Sequence, residues 1–211
     1  TVNQDVISFM KEKILSSPEP VTIMALAPLT NIATLLQREP TIIDHIEQIV
    51  VMGGSWYRGN VIPHAEFNIY ADPHAAKEAF SGKVSTVIIP LECCDDCTIS
   101  EATVQSWIHD ERYLTKMVGG IMDFFAIYGR QHQRTRHTIF DLAVTEYLLH
   151  PEIFEGEYCN CDVILLGEET RGQTVFTTNP NSKILVLKHA DTNRFEHQII
   201  SDINQLANEI I

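Results

Sequence analysis

The run "IEQIVVMGG" (46–54) decides how this chain folds. Its centre, "QIVVMG" (48–53), is apolar without alternation, the mark of a strand covered on both faces. Two glycines close it, which permit a positive φ or the close approach of a ligand, though a plain turn would use them equally well. Four more runs of this kind follow the same rule: "VTIMAL" (21–26), "STVIIPL" (85–91), "CDVILL" (161–166) and "KILVLK" (183–188). Between them lie helical patterns such as "DVISFMKEKILSS", "LTNIATLLQRE", "YLTKMVGGIMDFFAIYGRQ" and "FDLAVTEYLLH". Strand and helix alternate, which predicts an α/β fold: one domain over residues 1–211, with a mostly parallel, open, doubly wound sheet flanked by helices. Ligands of such sheets sit beyond the carboxyl ends of the strands, so chemistry is expected just after Leu26, Gly53 and Leu91.

One of those ends leads into "GNVIPHAEFNIYADPHAA" (59–76), which sets Asn60, His64, Glu66 and Asn68 among apolar residues. Asn60, Glu66 and Asn68 combine neutral amides with one anionic acceptor, the mixture that grips the hydroxyls of a sugar. Glu66 and Asn68 are two apart, so an extended segment would point both to one face. Asp72-Pro73 then reads as a helix start, with Asp as cap and Pro in the first turn. Thr30 and Asn31, where "LTNIATLLQRE" begins, read as caps too.

The 211 residues are 45% hydrophobic and 20% charged, values of an ordinary globular protein. Fifteen Lys and Arg against 28 Asp and Glu leave a formal charge of −13, which repels nucleic acid and anionic membranes. No apolar run approaches the ~20 residues that span a bilayer, and no secretory signal opens the sequence. The five cysteines cluster in "CCDDC" and "CNC" rather than spreading as a disulfide framework, which favours a reducing cytoplasm. Cys94 and Cys97 form a CxxC, but no second CxxC follows, so buried or incidental thiols are the expected reading.

The strings "APLTNIA", "VVMGGS", "RGN", "AEFNIYADPHAA" and "FDLAVTEYLLHPEIF" stand in the order and at the separations seen in the ribonucleoside hydrolases, the inosine-uridine-preferring nucleoside hydrolase family. The chain resembles that family over almost its whole length, and most of all the broad-specificity bacterial members acting on purine and pyrimidine ribosides. The resemblance implies a calcium-dependent, homo-oligomeric hydrolase that cleaves the N-glycosidic bond of a ribonucleoside to ribose and free base. It also implies that Asn60, Glu66 and Asn68 bind ribose hydroxyls, with Met52 beside them. Calcium in the family takes aspartates of an N-terminal D-x-D-x-x-x-D-D motif, a main-chain carbonyl that falls on Leu26, and a late aspartate that falls on Asp141. An all-oxygen shell suits a hard cation.

The chain also departs from the family. It contains no D-x-D-x-x-x-D-D, and its first residues resemble a helix that the family places after roughly its first third; the calcium aspartates and the general base are thus expected to be lacking. Phe140 stands where the family has the histidine that protonates the leaving base. His137 is the candidate substitute, against the plainer reading of a solvated residue on the polar "RQHQRTRH". Glu92, in "PLECC", replaces an aspartate near the site, and the segment after "GQTVFTTN" looks short. Two functions follow: a nucleoside hydrolase in the complete enzyme, or a non-catalytic remnant that binds ligand or oligomerises. No G-x-G-x-x-G supports a nucleotide cofactor. For these 211 residues alone the expectation is weak or absent calcium binding and no hydrolysis.

Overall fold

The computed structural model describes residues 5–209, with Tyr128 by its backbone alone. In chain order its elements are α1 (Val6–Leu15), β1 (Val21–Ala25), α2 (Thr30–Arg38), β2 (Ile46–Met52), α3 (Phe67–Ala71), α4 (Pro73–Ala79), β3 (Thr86–Ile89), α5 (Leu91–Asp96), β4 (Thr98–Ser100), α6 (Glu101–Ile108), α7 (Tyr113–Gln131), β5 (Arg136–Thr138), α8 (Leu142–Leu149), β6 (Phe154–Val163), β7 (Thr174–Thr178), β8 (Ile184–Ala190) and α9 (Thr192–Glu209). Short 3-10 turns occupy Pro40–His45 and Pro151–Ile153. The predicted α/β class, with a mostly parallel sheet flanked by helices, is the one observed.

Six strands form the main sheet in the order β1-β2-β3-β8-β6-β7. The first four run parallel, and β6 and β7 pair antiparallel. Ala25 lies opposite Val51, and Met52 opposite Ile89. Gly53 N–H then donates to the Ile89 carbonyl at 3.1 Å, and Leu91 N–H to that of Gly54 at 3.1 Å. Leu26, Gly53 and Glu92 therefore leave the sheet at one and the same edge, as the crevice rule requires.

The chain divides into two compact units, Thr1–Cys93 with Glu155–Lys188, and Cys94–Phe154 with His189–Ile211. In the first unit, α1, α2 and α4 bury Ile7, Ile32, Leu35, Leu36, Ala76 and Ala79 against Ile49, Val51, Ile88 and Val186 of the sheet. Asp5 caps α1 by accepting from Ser8 N–H, and Asp72 caps α4 by accepting from Ala75 N–H. Thr30 does not cap α2; Leu29 holds that position with no side-chain bond, and the Thr30 hydroxyl donates to Asp72 at 2.7 Å. That bond, more than any other contact, lowers the Asp72 pKa.

The expected burial on both faces holds for β3 and for Ile49–Met52, but not for β1, where Thr22 and Met24 are exposed. β1 is the edge of this sheet, and alternating burial is what a strand with one covered face shows. The strand expected over "CDVILL" lies earlier, at Phe154–Val163, and Leu166 is exposed. "STVIIPL" ends as a strand at Ile89, and "LECCDD" that follows is a helical turn.

In the second unit α6 and α7 approach so closely that a Cβ at Gly119 would lie 2.6 Å from the Trp107 carbonyl carbon. β4 and β5 form a short antiparallel pair. Glu196 fastens α9 to that pair by accepting from Ser100 N–H at 2.9 Å, from the Thr103 hydroxyl, and from Arg136 at 2.6 Å. Burial pushes the Glu196 carboxyl up, but the hydrogen bonds from Thr103, Ser100 and Arg136 outweigh it and hold the pKa at about 2. A carboxyl whose folded pKa is depressed contributes stability above its unfolded value, and that contribution fades as pH falls through the folded value. Glu196→Gln is therefore expected to cost roughly 2–3 kcal/mol at neutral pH, a gap that closes as the pH approaches about 2. Denaturant titrations of both proteins across that range measure it. Among the described residues no helix is long and apolar enough to cross a membrane.

Candidate functional site

The polar stretch beyond β2 is built around one carboxylate. Glu66 is 2% exposed, and its Oε1 accepts from Asn68 N–H at 2.9 Å. Its Oε2 accepts from Gly54 N–H at 3.1 Å and Ile69 N–H at 3.2 Å. The expected extended segment is thus absent: Glu66 is the N-cap of α3, and Asn68 sits in that helix's first turn. The capping carboxylate causes the helix, since it satisfies two of the amides a helix start leaves open. A Cβ at Gly53 would stand 3.3 Å from Glu66 Oε2 and 3.1 Å from Ile69 Cδ1, so the first glycine of "VMGG" gives α3 room to dock. The second, Gly54, has φ +76° and turns its amide onto Glu66.

Asn68 is 8% exposed, and its amide nitrogen donates to the Met52 carbonyl at 3.1 Å and approaches the Met52 sulfur at 3.6 Å. With both N–H bonds spent on Met52, its Oδ1 is the acceptor left over. Asn60 shows the reverse. Its Oδ1 accepts from Phe67 N–H at 2.9 Å, which leaves its NH2 as the unspent group of an exposed side chain. The loop carrying it cannot accept a side chain at Gly59, where a Cβ would lie 1.8 Å from the Ile62 carbonyl oxygen. Three residues of the first unit therefore meet at α3: Asn68 leaves a neutral acceptor and Asn60 a neutral donor unspent, beside a Glu66 carboxylate bonded to three backbone amides.

Glu92 stands where the resemblance expects a site aspartate. Its two carboxylate oxygens instead accept from Trp56 N–H at 2.8 Å and Tyr57 N–H at 3.0 Å, pinning the loop that follows "VMGGS". Nothing in the sequence signals that a carboxylate in the first turn of α5 bonds backbone 36 positions away.

Of the site residues in the second unit, His137 is not the solvated residue that its polar segment suggested. It is 5% exposed, its Nε2 lies 2.7 Å from Glu101, and β5 places it opposite Ile99. Glu101 is held in turn by Arg130, whose guanidinium is the chief cause of a carboxyl pKa near 2. Gly129 makes space for the ring, since a Cβ there would come within 2.7 Å of His137 Nδ1. His137, Thr138 and Phe140 border a cavity of about 340 Å3. Asp141 follows at the N-cap position of α8 with no side-chain capping bond and an exposed side chain. Of the five cysteines, four are buried and Cys161 is half-buried.

The inosine-uridine preferring nucleoside hydrolase family matches residues 1–197. The chain is 34% identical over 171 residues to a pyrimidine-specific ribonucleoside hydrolase, RihA, of Shewanella woodyi, covering 80% of this chain and 55% of that protein. It is also 34% identical over 166 residues to a non-specific ribonucleoside hydrolase, RihC, of Salmonella paratyphi A, covering 79% and 53%. The chain thus spans about half the length of the curated relatives it matches. Among solved structures, a purine-preferring ribonucleoside hydrolase from Gardnerella vaginalis superposes with a TM-score of 0.87 at 25% identity, over 97% of this chain and 67% of that one. A plant nucleoside hydrolase shares the fold with a TM-score of 0.88 at 22% identity, over 96% and 67%. On the extent of these matches, the chain belongs to the inosine-uridine preferring nucleoside hydrolase family.

Proposed function

We propose that this protein serves the hydrolysis of the N-glycosidic bond of purine and pyrimidine ribonucleosides, and that Asn60, Glu66 and Asn68 grip the ribose. The observation that carries this reading is the buried Asn68 amide: Met52 takes both of its N–H bonds and leaves its Oδ1 unspent at the carboxyl end of a parallel strand. Glycosidic cleavage passes through an oxocarbenium-like sugar, and hydroxyls held by pre-positioned acceptors keep the ring in place while the base departs. The backbone amides that fix Glu66 supply that positioning.

Calcium does not fit the residues present. The positions that correspond to the family's ligands are the Leu26 carbonyl and the Asp141 carboxylate, and these few oxygens fall short of the six to eight that calcium takes. Glu92 is committed to Trp56 and Tyr57 and adds nothing to the set. The chemistry assigned to these 211 residues is therefore ribose binding. Calorimetric titration of the chain should show no calcium binding tighter than about millimolar. Hydrolysis of inosine or uridine should be undetectable, because a water without a metal keeps a pKa of roughly 15.7. Micromolar calcium binding together with inosine cleavage would contradict this.

Joined to an aspartate-bearing segment from a family relative, the chain should gain calcium binding and release p-nitrophenol from p-nitrophenyl riboside. A second reading, a non-catalytic remnant that binds ligand or forms an oligomer, is favoured by Phe140 at the place of the proton donor. A complemented protein that binds calcium and cleaves neither substrate would establish it in place of the first.

A further inference from the structure

The second unit carries a cluster that the ribose site does not use. Glu146 and His150 stand four residues apart at the end of α8, and one oxygen of Glu146, one of Asp202 on α9 and a ring nitrogen of His150 all lie within 4.8 Å of one another. His150 Nε2 and Asp202 Oδ2 are 3.2 Å apart, close to the ~3.3 Å that separates two ligand atoms each about 2.0–2.1 Å from one tetrahedral metal. Gln198 donates to the other Asp202 oxygen at 3.1 Å, the kind of outer contact that orients a ligating carboxylate.

The second observation is Glu146 itself. It is 3% exposed, and its Oε2 has no hydrogen-bond partner among the described residues. An unpartnered buried carboxylate oxygen is costly unless the group is protonated or neutralised by a cation. The side chains of His150 and Asp202 are 24% and 28% exposed, which leaves a path for an ion and a coordination position for water.

We propose that Glu146, His150 and Asp202 form a binding site for a borderline divalent transition metal ion, zinc being the best fit, that clasps α8 to α9. One imidazole nitrogen and two carboxylates suit zinc; two carboxylates are too few for calcium, and the imidazole is a poor ligand for either calcium or magnesium, which take oxygen. The site stands apart from the ribose-binding reading and needs no nucleoside.

The test uses the intact 211-residue chain, stripped of metal with a chelator and titrated with zinc by calorimetry. Micromolar or tighter binding is expected, with a thermal midpoint that rises with zinc concentration. His150→Ala and Glu146→Gln should each weaken binding by at least about tenfold. Glu146→Gln keeps the shape of the side chain and removes its buried charge, so it keeps the test valid if His150→Ala folds poorly. Cobalt substitution should give a spectrum of nitrogen and oxygen ligands without thiolate charge-transfer bands. Zinc binding no tighter than millimolar in the folded parent, binding that survives both substitutions, or thiolate bands from the cysteines would each overturn the proposal.

Discussion

Glu66→Ala is expected to lower the stability of the protein by about 3–5 kcal/mol, the largest loss from any single side chain outside the apolar core. Three backbone amides, those of Gly54, Asn68 and Ile69, point at this one buried carboxylate. Hydrogen bonds to a charged acceptor are worth about 1.5–3 kcal/mol each, and the donors left behind are too buried for water to satisfy all of them. Glu66→Gln should cost less, on the order of 2 kcal/mol, because an amide oxygen can serve one side while its NH2 faces donors on the other. Urea unfolding of the three proteins gives the order. A Glu66→Ala protein within 1 kcal/mol of the parent would mean that the carboxylate is not the anchor of α3.

Phe140→His, in the protein complemented with an aspartate-bearing segment, should raise inosine cleavage by on the order of a hundredfold, the usual contribution of a positioned general acid. The side chain is 40% exposed and borders a cavity, so an imidazole should fit there without disturbing the core. The gain should be greatest below the imidazole pKa, roughly 6.5, where the donor carries its proton. p-Nitrophenyl riboside, whose leaving group needs no proton, should gain little. Equal gains on both substrates would show that the histidine acts by some means other than proton donation. In the parent, His137 Nε2 is engaged with Glu101 at 2.7 Å.

The strands at the centre of the sheet were legible because burial on both faces writes itself as unbroken Val and Ile: "IVV" and "VII" needed no further context. β1 misled because "VTIMAL" is as apolar as a central strand, while its position at the sheet edge, which exposes Met24, is a tertiary fact. α3 was missed for a related reason. Glu66 is an uncommon N-cap, and its carboxylate is also held by the Gly54 amide, 12 residues earlier in sequence. The identity of the polar residues could be read, but their division of labour could not: Asn68 is aimed by Met52, and Asn60 by Phe67 N–H. The polarity of "RQHQRTRH" hides the burial of His137 because 131–135 do face solvent, while Arg130 and His137 at its two ends both turn to Glu101.

The zinc cluster had even less of a signature. A glutamate and a histidine four apart on a helix are common, and only the fold brings Asp202 to them.

That Asn68 and Glu66 hold ribose hydroxyls is most directly tested by the kcat/KM ratio of the complemented protein for inosine over its 2′-deoxy and 3′-deoxy analogues. A site built to bond a hydroxyl discriminates against its absence by on the order of 10,000-fold. A ratio of that order is expected for at least one analogue in the parent, falling at least a hundredfold in Asn68→Ala, where the acceptor that Met52 aims is gone. Cleavage indifferent to both hydroxyls, or a ratio that Asn68→Ala leaves unchanged, would contradict the assignment of the buried amide to the sugar.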